Sequence, residues 1–197
     1  MSEDNRESSG IIDILKKRWS PRSFSNKNIS DESLQRIFEA ARWAPSCFNE
    51  QPWNFIYFRR GSESYNKLAA AIMDGNKPWS INAPVLVLTV ARNSFERNGK
   101  SNNYAMHDLG MAVFSLTLQA LSEDIYLHQL AGFDAKMTSE IFRIDDNFSP
   151  ATVLAMGYLG DPEALPDSLK PSEKKRTGRK PISEFVFMNS WKKANNL

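Results

Sequence analysis

Residues 84–91, Pro84-Val85-Leu86-Val87-Leu88-Thr89-Val90-Ala91, are the stretch of this 197-residue sequence that decides its fold. Apolar side chains stand at both odd and even positions, and successive side chains of a strand point to opposite faces of a sheet. A strand with this pattern is covered on both faces. We therefore expect a central strand with packed layers on either side of its sheet.

Further elements are predicted before and after this strand in the sequence. Other segments with the composition of strands are residues 53–58, 125–128, 151–156 and 182–187. Segments with helical spacing or capping residues are 11–19, 30–45, 62–73, 103–121 and 134–142. Residues 162–171, which contain several prolines, are expected to be an extended surface segment. The order lacks the strict alternation of a doubly wound parallel sheet, so the sequence predicts an α+β domain.

Length and composition restrict the class of protein. At 197 residues and 22.4 kDa the chain fits one domain, which we assign to residues 11–197 after a flexible leader at residues 1–10. The net charge of +2 gives no reason to expect nucleic-acid binding. The longest apolar stretch, residues 111–121, is too short for a membrane span, which needs about 20 apolar residues. We recognise no signal peptide, and the single cysteine, Cys47, suits a reducing cytoplasm.

The segment Arg18-Trp19-Ser20-Pro21-Arg22 is the first candidate binding element. Pro21 favours extended backbone at Ser20, and residues two apart in an extended chain share a face. Arg18, Ser20 and Arg22 can then point the same way and offer two guanidinium groups and a hydroxyl to a phosphomonoester. The alternative is that both arginines are ordinary solvated charges after a helix.

Further segments carry polar or basic groups. Residues 44–53 gather hydroxyl and amide side chains between prolines, which either hold a polar ring or simply form turns. Residues 129–134 contain Gly132, which allows close approach to a flat ligand, and Asp134, a candidate N-cap. Residues 174–181 are a basic run, which is usually a solvated surface and completes a phosphate site only if the fold returns it to Arg18.

Several catalytic patterns are absent from the sequence. It contains no G-x-S-x-G, G-x-x-x-x-G-K-[ST] or G-x-G-x-x-G motif, so hydrolase, P-loop and Rossmann functions lack support. Neither histidine, His107 or His128, has a second metal ligand at zinc-site spacing, and no metal site is expected. Asp108 is expected to point away from His107 on its helix, so no dyad is predicted there.

Together these segments resemble, in content and order, the nitroreductase family of FMN proteins. The likeness extends over residues 11–187. The motifs that carry it are Arg18-x-Ser20-x-Arg22, Ala44-Pro45-Ser46 followed by Asn49, Gln51, Pro52 and Trp53, Ala131-Gly132-Phe133-Asp134, and Arg179-Lys180-Pro181. Each motif is weak alone, whereas their common order and spacing are specific.

The resemblance implies a nitroreductase-like α+β fold with a central, mainly antiparallel sheet flanked by helices, in an intertwined homodimer with two FMN sites at its interface. Residues implied to bind FMN from one subunit are Arg18, Trp19, Ser20, Arg22, Leu130, Ala131, Gly132, Arg176 and Arg179. Pro45, Ser46 and Asn49 are implied to come from the partner subunit. Asn76 is a weaker match to a flavin contact, and residues near Trp79 are a possible cover for the flavin.

The implied activity is electron transfer from NAD(P)H through flavin N5 to nitroaromatic, quinone or similar electron-poor acceptors. Because hydride transfer is the chemistry of the cofactor, no catalytic side chain is predicted. Two alternatives stay open. One is a specialised flavin reaction, such as reductive dehalogenation or flavin cleavage; the other is a non-catalytic module that stores or senses FMN.

Overall fold

The computed structural model describes residues 10–175 and 178–193, and within them one four-stranded antiparallel sheet has the order β1-β2-β4-β3. The strands are β1 (Trp53–Arg59), β2 (Val85–Arg92), β3 (Ile125–Leu130) and β4 (Phe148–Tyr158). Each corresponds to a strand predicted from the sequence, and the antiparallel sheet of an α+β fold is confirmed. The predicted leader lies outside the described residues apart from Gly10.

Helices flank this sheet, and their capping residues explain where several of them begin. The helices are α1 (Asp13–Lys17), α2 (Asp31–Arg42), α3 (Glu63–Ala71), α4 (Lys77–Ser80), α5 (Ala105–Ser122), α6 (Ala135–Phe142) and α7 (Lys170–Lys174). Ser30, Ser62 and Asp134 cap α2, α3 and α6, because each side chain accepts a hydrogen bond from the backbone N–H three residues further on.

Strand β2 separates two hydrophobic cores. Val85, Val87 and Ala91 belong to one core with residues of α2 and α5, whereas Leu86, Leu88 and Val90 belong to the other with residues of α3 and α4. These β2 side chains are at most 3% exposed. Full burial of one such side chain stabilises the fold by about 1.5–3 kcal/mol. The expectation of a central strand covered on both faces is confirmed.

Helix α5 is largely apolar on all sides, but only one side is covered. Leu109, Ala112 and Leu116 repeat at helical spacing and are buried in the core shared with α2. Met106 and Phe114 lie on the other side and are 50% and 44% exposed. Within residues 10–175 and 178–193, no helix combines the length and the apolar character needed to cross a lipid bilayer.

The expectations for the C-terminal region are wrong in two places. The strand predicted at residues 182–187 is not formed, because Ile182–Glu184 form a 3₁₀ turn. The Glu184 N–H donates to the Pro181 carbonyl at 3.0 Å and the Phe185 N–H to the Ile182 carbonyl at 3.1 Å, so these donors are used locally. Residues 162–171 are not simply extended either: they include a 3₁₀ turn and lead into α7, which tolerates Pro171 in its first turn.

Candidate functional site

The segment of residues 18–22 follows α1 and begins with extended backbone at Arg18 (φ −65°, ψ 123°). The Arg18 Nη1 atom donates to the Ser20 hydroxyl at 3.4 Å, so these side chains lie together as the sequence predicts. The Arg22 guanidinium has contacts of its own: its Nη1 atom donates to the Ser172 hydroxyl at 3.3 Å, and its Cζ atom lies 5.9 Å from the centre of the Trp79 ring. Trp19 packs edge-on against Tyr126, with ring centres 6.4 Å apart.

Positive charge from the two ends of the chain meets at Arg18. Burial lowers the pKa of Arg18 first, and the nearby charge of Arg179 lowers it further. Within residues 10–175 and 178–193, neither Arg18 nor Arg22 forms an ion pair with a carboxylate. We call Arg18, Ser20, Arg22 and Arg179 the anion clamp. Arg176, which was predicted to join it, lies outside the described residues.

Side chains from remote elements hold the backbone of this segment. The Glu173 carboxylate on α7 accepts hydrogen bonds from the backbone N–H groups of Arg22 (3.0 and 2.9 Å) and Ser23 (2.9 Å). The His128 Nδ1 atom on β3 donates to the Pro21 carbonyl at 2.9 Å, and a carbonyl partner requires that this nitrogen carry the proton. The backbone between Arg18 and Ser23 is therefore fixed by contacts more than a hundred residues away in the sequence.

His128 is held in its neutral form. Its ring stacks on Trp79, with ring centres 4.2 Å apart and planes tilted by 35°. Burial is the main cause that lowers the pKa of His128 to about 4, and the charge of Arg22 lowers it as well, against the opposing effect of the Pro21 carbonyl. Near pH 7 this side chain adds no charge to the clamp. Trp79 itself is 1% exposed, and the expectation that residues near it cover a flavin stays a prediction.

The turn at residues 130–134 packs against the connection between α3 and α4. Leu130 is buried at the end of β3, while Ala131 is exposed. The Gly132 carbonyl accepts from the Met73 N–H at 2.9 Å, and a Cβ atom on Gly132 would lie only 2.5 Å from the Asn76 Nδ2 atom. Gly132 therefore allows the Asn76 amide to lie against the backbone of this turn.

The loop of residues 44–53 has an unusual backbone. Phe48, Asn49 and Gln51 have φ angles of 54°, 58° and 48°, in the left-handed region that non-glycine residues rarely adopt. The Ser46 hydroxyl accepts from the Gln51 N–H at 3.0 Å, and the Asp108 carboxylate on α5 accepts from the Cys47 N–H at 2.9 Å. Strained residues of this kind persist only where the surroundings fix them, and they concentrate at functional sites.

Charges beside this loop are compensated. The side chain of Glu50 is 5% exposed and forms ion pairs with Arg92 at 3.1 Å and with Arg97 at 3.7 Å. The Arg97 guanidinium also lies over the Phe48 ring, 3.8 Å from its centre. Next to these groups is a polar cavity of about 580 Å³, lined by Asn49, Glu50, Gln51, Asn54, Arg92, Glu96, Arg97 and Phe148.

One expectation about the histidines is wrong. The His107 Nδ1 atom lies 3.2 Å from the Asp108 Oδ1 atom, although neighbouring side chains on a helix point in different directions. The contact forms because Nδ1 is the ring nitrogen nearest the backbone, so the ring can turn towards the next residue. The other Asp108 oxygen holds Cys47, which makes Asp108 a brace for the loop. Among the described residues, no group of three or more His, Cys, Asp and Glu side chains could hold a metal ion.

The predicted site residues thus fall into two groups. Arg18 lies near Ser20 and Arg179, the Arg22 guanidinium lies at Ser172, and the turn at Gly132 follows the strand that carries His128. Pro45, Ser46 and Asn49 form the second group. No hydrogen bond or ion pair within residues 10–175 and 178–193 joins them to Arg18, Ser20 or Arg22.

Sequence analysis missed the buried carboxylates that organise these two groups. Glu173 holds the clamp across 151 residues, Asp108 holds the loop across 61, and Glu50 reaches Arg92 across 42. No local pattern marks such contacts. The only sequence signal would have been an acidic residue in an otherwise basic run, as at Glu173.

The comparisons of this chain with a family model, with solved structures and with related sequences agree with one another. The family model described as Nitroreductase family matches residues 15–158. A crystal structure described as an oxidoreductase containing FMN is similar with a TM-score of 0.89 and 32% identity, over 97% of this chain and 98% of that chain. A nitroreductase family protein from Clostridium difficile gives a TM-score of 0.71 and 26% identity, over 92% and 99%. A Streptomyces coelicolor protein provisionally named an NADH dehydrogenase/NAD(P)H nitroreductase is 34% identical over 164 residues, which cover 73% of this chain and 80% of that protein. The chain therefore belongs to the nitroreductase family, and its α+β fold is the nitroreductase fold.

Proposed function

We propose that this protein is an FMN-dependent oxidoreductase that transfers electrons from NAD(P)H to nitroaromatic, quinone or similar electron-poor acceptors. The observation that carries the proposal is the approach of Arg179 to Arg18, at a site where Arg18 and Arg22 have no carboxylate partner among the described residues. Family membership, and a similar solved protein that contains FMN, support the identity of the ligand.

The clamp fits the phosphate end of FMN. Burial is the main cause that lowers the pKa of Arg18, and repulsion by the Arg179 guanidinium lowers it further. A phosphate dianion between them would replace repulsion with charge-assisted hydrogen bonds, and the Ser20 hydroxyl offers a further donor. The Glu173 carboxylate beside this segment is engaged by backbone N–H groups and leaves the Arg22 guanidinium available to an anion.

The turn at Gly132 fits the ring end of FMN. Ala131 is exposed, and the Asn76 amide fills the side of Gly132 on which a Cβ atom would lie. We propose that Leu130, Ala131 and Gly132 lie along the ring, with the Asn76 amide beside them. When bound, FMN accepts and donates hydride at its N5 atom. The side chains of this protein bind, orient and shield, and we assign no catalytic acid or base.

The second half of the site is proposed to come from a partner subunit. Several large apolar side chains stand exposed on the single chain: Trp43, Met106, Phe114, Phe185 and Trp191, at 77%, 50%, 44%, 60% and 80%. Exposed apolar surface of this extent indicates a protein interface. We propose an intertwined homodimer in which Pro45, Ser46 and Asn49 of one subunit cover the FMN of the other, and residues 11–197 act as one FMN-binding domain.

Reconstitution with FMN followed by reduction tests the proposal. We expect purified protein to retain FMN, to be bleached by NADH or NADPH under anaerobic conditions, and to regain its absorbance when a quinone or nitroaromatic is added. Protein that takes up no added FMN would sink the proposal. Protein that binds FMN but is reduced by neither nucleotide would instead indicate a storage or sensing module.

Light scattering tests the dimer independently of the chemistry. We expect twice the mass of one chain down to low protein concentration, since the apolar surface of α5 requires cover. A monomer that still binds FMN tightly would contradict the proposed contribution of residues 45–49. For the cell we propose the cytoplasm, where NAD(P)H is available and Cys47 stays reduced.

A further inference from the structure

Glu173 is a buried carboxylate without a cationic side-chain partner among the described residues. The residue is 5% exposed, and it lies on α7 directly beside the anion clamp. Its oxygens accept bonds from the backbone N–H of Arg22 at 3.0 and 2.9 Å and from that of Ser23 at 2.9 Å. A carboxylate removed from water is costly unless it is hydrogen-bonded, and here two successive backbone donors fulfil that requirement.

Helix α7 holds Arg22 by its backbone and by its side chain. Ser172, the neighbour of Glu173, accepts from the Arg22 Nη1 atom at 3.3 Å. The guanidinium is then bounded on another side by the Trp79 ring, 5.9 Å from Cζ. An arginine side chain has many rotamers, and fixing both of its ends removes much of that freedom before a ligand arrives.

We propose that Glu173 is a positioning residue of the anion clamp: it orients the Arg22–Ser23 backbone so that the Arg22 guanidinium is directed at the phosphate of the bound flavin. The inference rests on the proposed FMN function. It assigns to α7 the task of preparing the clamp, which neither the family relationship nor the sequence motifs indicate.

A competing effect has the opposite sign. A carboxylate near a phosphate repels it, so loss of the Glu173 charge would strengthen FMN binding if Coulomb repulsion were dominant. Orientation dominates in our proposal, because the Glu173 oxygens are already bonded to N–H groups while the guanidinium loses its direction when those bonds are lost. Salt separates the two effects, since repulsion is screened by added salt and orientation is not.

The test compares FMN with riboflavin, which has the same ring system but no phosphate. We would measure both dissociation constants by flavin fluorescence at two salt concentrations for the wild type and for Glu173→Gln. The matched control is Glu163→Gln, an exposed carboxylate that pairs with Lys170 and Lys174 near the same helix. Because hydrogen bonds to charged groups are involved, we expect FMN binding to weaken about 10- to 100-fold in Glu173→Gln. Riboflavin binding and the control should stay within about threefold of the wild type.

A second variant keeps the test decisive if Glu173→Gln folds poorly. Ser172→Ala removes only the side-chain contact to Arg22, and we expect it to weaken FMN binding about two- to fivefold while riboflavin binding is unchanged. Equal losses for FMN and riboflavin, an unchanged FMN constant, or tighter FMN binding at low salt would each overturn the positioning role. Wild-type protein that binds no FMN would overturn the proposed function itself, and with it this inference.

Discussion

The two regions assigned to the flavin, the anion clamp and the loop of residues 44–53, are built in opposite ways. The clamp has extended backbone at Arg18, and neither Arg18 nor Arg22 is paired with a carboxylate among the described residues. The loop has left-handed backbone at Phe48, and its buried charge at Glu50 is paired with Arg92. The difference indicates which end of a ligand each region suits: open positive charge suits a phosphate, and a rigid loop with compensated charge suits a neutral ring.

Arg22→Ala should have the largest effect, because it removes a charge from the clamp. We expect the dissociation constant for FMN to rise about 100-fold, since charge-assisted hydrogen bonds to phosphate are lost. Fluorescence titration with FMN measures this. Lys174→Ala is the matched control, because Lys174 is an exposed cation on the neighbouring helix and pairs with Glu163. Equal losses in both variants would remove the distinction between clamp and solvated charge.

His128→Gln should change how stability depends on pH, again in the clamp. The pKa of His128 is lowered from 6.5 to about 4, so the unfolded chain takes up a proton at a higher pH than the folded protein does. This contribution to stability is present above pH 6.5 and is lost as the pH falls towards 4. Between pH 7 and pH 5 the wild type should lose about 2 kcal/mol more than the variant.

Urea unfolding at both pH values checks the prediction, and a glutamine at position 128 can still donate to the Pro21 carbonyl. Other titrating groups are common to both proteins and cancel in the difference. If the free energy of unfolding depends on pH in the same way for both proteins, His128 is not held neutral. The clamp would then include a further positive charge from this histidine.

Asp108→Ala tests the brace of the loop. The Cys47 N–H loses its acceptor, and an unsatisfied buried donor costs about 1–2 kcal/mol. The free energy of unfolding from urea titration measures this, with the exposed Asp146→Ala as the control for removal of a carboxylate. A loss no larger than that of the control would show that the loop is held by its own turns and not by α5.

Substitutions at Gln51 test the left-handed backbone and should have the smallest effects. Glycine at this position removes a steric cost of about 1 kcal/mol but adds about 0.5–1 kcal/mol of chain entropy, so Gln51→Gly should stay within about 0.5 kcal/mol of the wild type. Gln51→Val should lose about 1 kcal/mol, because a branched side chain is poorly accommodated at a φ of 48°. Denaturation midpoints separate the two variants, and identical values would argue against strain in the loop.

The periodicity of apolar residues in the sequence was sufficient to predict the helices and strands that form the two hydrophobic cores. Residues 84–91 predicted β2 because burial on both faces leaves a continuous apolar run, and α2 and α5 followed from helical spacing. Short elements were missed. Helices α4 and α7 are only four and five residues long and contain proline, so local spacing carries too little signal.

The sequence was sufficient to recognise the motifs of the binding segments, but it did not indicate which contacts hold those segments in place. The sequence places Arg18 beside Ser20 through a two-residue spacing, and the structure has that contact. It contains no indication that Arg22 would turn to Ser172 or that Asp108 would reach Cys47. Such contacts depend on the packing of whole elements, which neither spacing nor propensity encodes. The predicted strand at residues 182–187 failed for a related reason, since the tendency to form strands does not provide a partner strand.

The contact between Glu173 and Arg22 joins residues 151 positions apart, and Arg179 lies further along still. During synthesis on the ribosome, Arg18 and Arg22 emerge long before the residues that orient and complete their site. In a nascent chain that ends before Glu173, the cationic segment therefore lacks the carboxylate that fixes its backbone. Possession of a formed clamp would mark a chain whose translation has passed Arg179.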